Sequence, residues 1–297
     1  MRNLLKSTVG VIIILFSVQY VNAQQFYMTT NVGFGIPANK NIEIFENLTS
    51  TSYRDLSGKY TRSNTYEKVS FSLGRGLNFG GSVGYMFNDY IGIDVGLNYL
   101  WGGKNQTTET NIQSNEVPGN VFKYERIRVS DYYARMFRVI PSIIITPNFE
   151  GLNPYLKFGT VLSFGSFYKE LNGTNTDNSP GGQNSKSFQK DIYSGGIGIG
   201  LNLCVGADYD LSEKLSVFGE FNYLGLNYAP NTRETIESTY NGVDNLSRMS
   251  TARKKTNFKS EYSNAGGFAN MDEPSTEIKT SYNVSSIGLN LGIKLSF

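Results

Sequence analysis

Eight segments of the chain alternate apolar and polar residues with a period of two, the spacing that places every second side chain of a β-strand on one face. In the first, Phe26, Met28, Val32, Phe34 and Ile36 alternate with Tyr27, Thr29, Asn31, Gly33 and Gly35, and only Thr30 interrupts the apolar set. A second strand is expected over 71–87, where Phe71, Leu73, Leu77, Phe79, Val83, Tyr85 and Phe87 oppose small and polar residues. Asn88-Asp89 marks a tight turn, and Ile91, Ile93, Val95, Leu97, Tyr99 and Trp101 form the apolar face of a third strand. The fourth is expected over 133–146, although Pro141 cannot donate to a ladder, the fifth over 154–167, and the sixth over 192–210. The seventh starts at Leu215, and the last runs over 282–297 with Ile287, Leu289, Leu291, Ile293, Leu295 and Phe297 on one face.

Connections between these segments alternate in length. Those after the second, fourth and sixth strands are a few residues long, whereas those after the first, third, fifth and seventh run to about 34, 31, 24 and 53 residues, the asymmetry of membrane barrels with short periplasmic turns and long outer loops. A soluble sandwich has no reason to lengthen every second connection, and long structureless loops are uncommon in compact domains. The expected fold class is therefore all-β: a closed, antiparallel, eight-stranded transmembrane β-barrel with short periplasmic turns and long extracellular loops. Tilted strands climb about 2.5 Å per residue, so an apolar band about 25 Å tall ends some ten residues above each turn. Arg75 and Arg135 share the lipid-facing parity but lie beyond that height, clear of the hydrocarbon.

Composition agrees with one greasy face rather than two. The chain has 20 Tyr, 19 Phe and 32 Gly, yet a mean hydropathy of only −0.30. After residue 23 no apolar run approaches the roughly 20 residues of a membrane helix. Before it, Arg2 and Lys6 precede an apolar stretch over 9–18 and the small-residue site Val21-Asn22-Ala23. That is the pattern of a secretory signal, so residues 1–23 are expected to be removed and 24–297 to form the barrel domain.

Two of the 27 basic residues fall in the signal segment, and the rest of the chain balances 25 acids. Without a clustered basic face no nucleic-acid partner is expected. A single cysteine, Cys204, cannot form an internal disulfide. The chain has no histidine, which removes the usual general base and the commonest transition-metal ligand. No catalytic residue, metal site or cofactor is therefore expected.

The run from Gly206-Ala207-Asp208-Tyr209-Asp210-Leu211-Ser212-Glu213-Lys214-Leu215 into Glu220-Phe221-Asn222-Tyr223, with the closing Leu291-Gly292-Ile293-Lys294-Leu295-Ser296-Phe297, resembles the outer-membrane β-barrel domain family, relatives of the OmpA-like and OmpW-like barrels. The resemblance covers nearly all of the chain after the signal. It implies a location among outer-membrane lipids and a C-terminal insertion signal, Leu291, Ile293, Leu295 and Phe297, read by the barrel-insertion machinery. No periplasmic domain follows Phe297, so a peptidoglycan anchor of the OmpA type is not expected.

Six charges fall on the inward parity: Asp94, Arg138, Lys157, Asp208, Glu220 and Lys294, three of each sign. An eight-stranded interior is just wide enough to be filled by side chains, so these groups are expected to pair across it as a neutral plug, with Glu220 and Lys294 the first pair. A narrow ion path through the same residues is the functional alternative. Outside, the longest loop carries Arg253-Lys254-Lys255 and Lys259, a candidate surface for polysaccharide, lipopolysaccharide phosphate or a host molecule. The sequence thus favours a structural or surface-interaction barrel over an OmpW-like channel or carrier, because the inward parity is mostly Gly, Ser, Asn and charge, with Tyr27, Tyr155, Val161, Phe218 and Leu224 the exceptions.

Overall fold

The computed structural model describes residues 26–38, 45–69, 71–263 and 270–297; the signal segment expected over 1–23 lies outside the described residues. Eight strands close a ring: β1 (Phe26–Pro37), β2 (Gly76–Met86), β3 (Ile91–Gly102), β4 (Asn120–Ile145), β5 (Leu152–Asp177), β6 (Ile197–Ser212), β7 (Leu215–Tyr228) and β8 (Ser286–Ser296). Each is antiparallel to the next, and β8 pairs back onto β1 from Tyr27↔Ser296 to Pro37↔Ser286. Closure leaves no membrane-embedded edge with unpaired backbone groups. The lipid-facing set Met28, Val32, Phe34, Ile93, Val95, Leu289 and Leu291 is exposed, while Tyr27, Thr29, Asp94 and Asn290 are buried inside.

Inner-wall glycines make room for aromatic rings on the neighbouring strand. Tyr27 is paired with Gly84, and a Cβ at Gly84 would lie 2.0 Å from the Tyr27 ring carbon Cζ. Gly206 stands likewise beside Tyr155, and Gly292 beside Phe218. Pro141 sits inside β4, where the ladder to β3 runs through Ile140 and Pro141 and the ladder to β5 omits them. The missing donor therefore interrupts one neighbour only.

Three strand starts differ from the sequence expectation, each at a backbone feature. β2 begins at Gly76, whose φ of 141° turns the chain inward, so Leu73 is buried rather than lipid-facing. Gly195, at φ 82°, separates β6 from a distinct strand, Ser185–Ser194. β8 begins at Ser286, and the preceding Tyr282–Asn283 pairs with β7 alone.

β4 and β5 continue far past the membrane, to 26 residues each, where strand four was expected to begin at 133. Among the described residues much of each long extracellular connection is itself strand. Asn105–Val117 pairs with the upper part of β4, and Phe45–Arg54 joins it in parallel and carries Tyr60–Val69 on its other side. On the opposite flank Ser185–Ser194 pairs with upper β5, followed by Thr232–Tyr240, Lys255–Lys259 and Ser275–Ile278. One sheet thus rises out of the barrel wall. Its strands escape a period-two reading because both faces meet water, as in Tyr124-Glu125-Arg126-Ile127-Arg128.

At the base of this extension, on its outer surface, Glu170 ties three elements together. Its carboxylate accepts from Lys104 Nζ at 2.6 Å and from Tyr133 Oη at 2.7 Å, and Lys190 Nζ lies 3.0 Å away. Partial burial works against the charge, but these donors hold the Glu170 carboxyl at about 2, below its ordinary 4.5. A depressed folded-state value contributes stability that is complete above about pH 4.5 and is lost as pH falls toward 2. Cleavage of the extension by pepsin should therefore rise as pH drops through that window in the native chain, and be higher with a flatter profile in Glu170→Gln. Identical profiles would show that the tie does not hold the extension.

Candidate functional site: the barrel interior

The inward side chains sort into layers from the periplasmic turns upward. Lowest is the Lys294 to Asp208 ion pair, at 2.7 Å, above an open vestibule of about 370 Å³. Next, Lys157 bridges Asp94 and Glu220, with Nζ 3.7 Å from an oxygen of each. Asp94 also accepts from Tyr27 Oη at 2.9 Å and Ser82 Oγ at 2.7 Å. Glu220 accepts from Tyr155 Oη at 3.0 Å, Cys204 Sγ at 3.0 Å and Asn290 Nδ2 at 3.3 Å. Buried charge is tolerable when paired and multiply hydrogen-bonded, and both carboxylates meet that condition.

The expected Glu220 and Lys294 pair does not form. Glu220 stands opposite Asn290, whereas Lys294 is opposite Ser216, two inward positions lower, and from there it reaches across β7 to Asp208 on β6. Arg138 departs from the pattern as well. It is 2 % exposed, its Nη1 donates to Asn78 Oδ1 at 3.1 Å, and its Nε and Nη2 meet no hydrogen-bond partner among the described residues. Five of the six inward charges therefore form ion pairs, and Arg138 sits apart, beside an asparagine. A cavity of about 40 Å³ separates the layers, bordered by Asn31, Asn98, Asn202, Asn222 and Asn290. It has space for a few water molecules at most.

The extracellular half of the lumen is apolar, of which the sequence reading picked out only Val161 and Leu224. Leu100, Met136, Val161, Leu224, Leu226 and Tyr228 are all buried to within 1 % exposure and form one cluster with Leu73 and Val284. Leu73 and Val284 precede β2 and β8 and are drawn into the mouth by backbone bonds, Leu73 N–H to Asn283 O at 3.0 Å and Val284 N–H to Leu226 O at 2.9 Å. Above them Phe167 stacks on Tyr193, with ring centroids 4.3 Å apart. Inward parity at Leu100, Met136 and Leu226 was the available signal. Tyr27, Tyr155, Ser82 and Asn290, also unassigned from sequence, were marked only by facing inward.

A sequence model of the outer membrane protein beta-barrel domain family matches residues 11–248. The chain belongs to that family. Among curated proteins none matches the chain. Among solved structures it is similar to the crystal structure of neisserial surface protein A, NspA, at 14% identity over 92% of this chain and 97% of that one, with a TM-score of 0.31. It is also similar to CarO2 of Acinetobacter baumannii, at 13% identity over 74% and 92% with TM-score 0.31. The outer membrane protease OmpT from Escherichia coli matches at 10% identity over 94% and 99%, with TM-score 0.22.

As a member of this family the protein presents Leu291, Ile293 and Leu295 outward from β8, and Phe297 closes the ring by donating its N–H to Phe26 O at 2.9 Å. On the extracellular side the basic group of the longest connection is split. Lys255 pairs with Glu234 at 3.3 Å, while Arg253 and Lys254 end a short helix, Thr251–Lys254.

Removing the Glu220 carboxylate strands Lys157 with one partner and leaves three donors facing a cavity. Glu220→Ala should destabilise the barrel by about 3 kcal/mol, the scale of a broken buried pair. Urea unfolding in detergent micelles checks this, and an unchanged midpoint would contradict the bridging role of Lys157.

Proposed function

We propose that the protein is a closed outer-membrane barrel that acts through its extracellular sheet extension rather than as a pore. It is exported behind a cleaved signal segment and seated by the barrel-insertion machinery. The observation that carries this reading is the apolar cluster of Leu100, Met136, Val161, Leu224, Leu226 and Tyr228, which fills the lumen on the extracellular side. An ion crossing there would have to shed its water among groups that offer it nothing. Below the cluster the lumen is occupied by paired charge. A carrier for small apolar molecules would need an apolar cavity, and the enclosed space is lined with asparagines. The chain also lacks the histidine that acid–base chemistry most often uses.

What the barrel holds up is large. Strands inserted between successive barrel segments add one continuous sheet beyond the membrane, and binding residues commonly sit on such segments held by a rigid scaffold. Arg253, Lys254 and Lys259 fit an acidic surface polysaccharide.

In planar bilayers the native protein should be silent, and Leu100→Gly combined with Met136→Gly and Leu224→Gly should introduce conductance. Steady conductance of the native protein would favour the channel alternative. Replacing Arg253, Lys254 and Lys259 by Ser should leave the unfolding midpoint in place and lower retention on an immobilised acidic polysaccharide. Equal retention would remove that surface from the reading.

A further inference from the structure

Thr30, the one break in the apolar face of β1, is paired with Gly81, the one lipid-facing glycine of β2. Beside this pair the missing side chain of Gly81 leaves a groove of about 510 Å³ in the lipid-facing wall, floored by Gly80 and Gly81 and flanked by Met28, Phe79, Val83, Val95 and Leu97. Its volume is in the range of small-molecule sites, roughly 300–1,000 Å³. The upper end is closed by the rings of Tyr99 and Phe137, 4.8 Å apart.

On the next rung up, Trp101 is paired with Arg135, whose guanidinium lies 4.1 Å from the indole centroid. Arg135 Nη1 is fixed by the carbonyls of Gly102 at 2.6 Å and Ala134 at 2.8 Å, which leaves most of the five guanidinium donors uncommitted. Beside it the chain bends so that Gly103 N–H donates to Arg75 O at 2.8 Å. The Arg75 side chain lies over Gly103, where a Cβ would stand 3.7 Å from its Cγ and Nε. Among the described residues neither arginine forms an ion pair. Counted up from the periplasmic turns, both stand about where an apolar band roughly 25 Å tall would end.

We infer that this wall is a binding site for a phosphorylated, acylated lipid of the outer leaflet, with one acyl chain in the Gly81 groove and a phosphate held between Arg75 and Arg135. Guanidinium recognises phosphate through paired donors, and the groove beneath supplies what free phosphate would not use. Trp101 stands on the same rung as Arg135, one rung above the Tyr99 and Phe137 rings at the upper end of the groove. The site lies on the membrane wall at the foot of the extracellular sheet, and lipid binding there is read separately from polysaccharide retention, so either can fail without the other.

Trp101 is the only tryptophan in the chain and reports on the site directly. Its fluorescence in detergent-solubilised protein is followed during titration with lipid A, with dephosphorylated lipid A, and with inorganic phosphate. Lipid A should give a saturable change, and loss of the phosphates or the change Arg75→Gln/Arg135→Gln should weaken it about tenfold or more, as expected for charged hydrogen bonds. Val95→Phe, which fills the groove, should weaken lipid A as well while leaving any response to inorganic phosphate unchanged. If the double variant does not fold, Arg75→Gln alone keeps the Arg135 and Trp101 stack and should still weaken binding measurably. Equal affinity for lipid A and its dephosphorylated form, or inorganic phosphate binding as tightly as lipid A, would overturn the inference. Undiminished binding by Val95→Phe or by the arginine variants would do so too.

Discussion

Inside a bilayer no water is available to a free backbone N–H or C=O, so a sheet can cross only by pairing its last strand with its first. That pairing, β8 with β1 over eleven consecutive residue pairs, is the constraint on which the rest of the structure depends. Closing the sheet with eight strands leaves a lumen that side chains can fill. Whatever faces inward must then be satisfied by other inward residues, and whatever faces outward must suit lipid.

The interior meets this requirement differently at its two ends. Toward the periplasm it carries charge, and the charges are bridged: Lys157 between Asp94 and Glu220, and Lys294 on Asp208. Two tyrosines complete the shells of these acids, and they fit because glycines stand opposite their rings. Toward the cell exterior the lumen is hydrocarbon-like. Arg138 lies between these regimes, where among the described residues its one hydrogen bond is to Asn78, and this places it at the boundary where the polar network gives out.

The barrel was legible in the sequence wherever one face meets lipid, because that contrast writes a period of two into the chain. Above the membrane the same strands continue through Asn120–Tyr132, but with water on both sides the contrast vanishes and the segments read as loops. The ion pairing was legible only as a set of residues. Which carboxylate meets which lysine depends on register, and Lys294 lies opposite Ser216 rather than Glu220. The apolar cluster was obscured for another reason: Leu73 carried the lipid-facing parity, and only the turn at Gly76 directs it inward. Conversely Thr30, which looked like a flaw in the first strand, is paired with Gly81, and that glycine floors a groove in the lipid-facing wall.

Closure of the interior from both sides is the central claim, and Cys204 tests it most directly. The thiol is the only one in the chain, is 2 % exposed, and lies against Glu220 in the bridged layer. Its labelling by a small, charged, membrane-impermeant thiol reagent is measured on the folded protein in sealed vesicles, with the reagent added on either side. A filled lumen predicts no labelling from either side until the protein is unfolded, and rapid labelling of the folded barrel would contradict it.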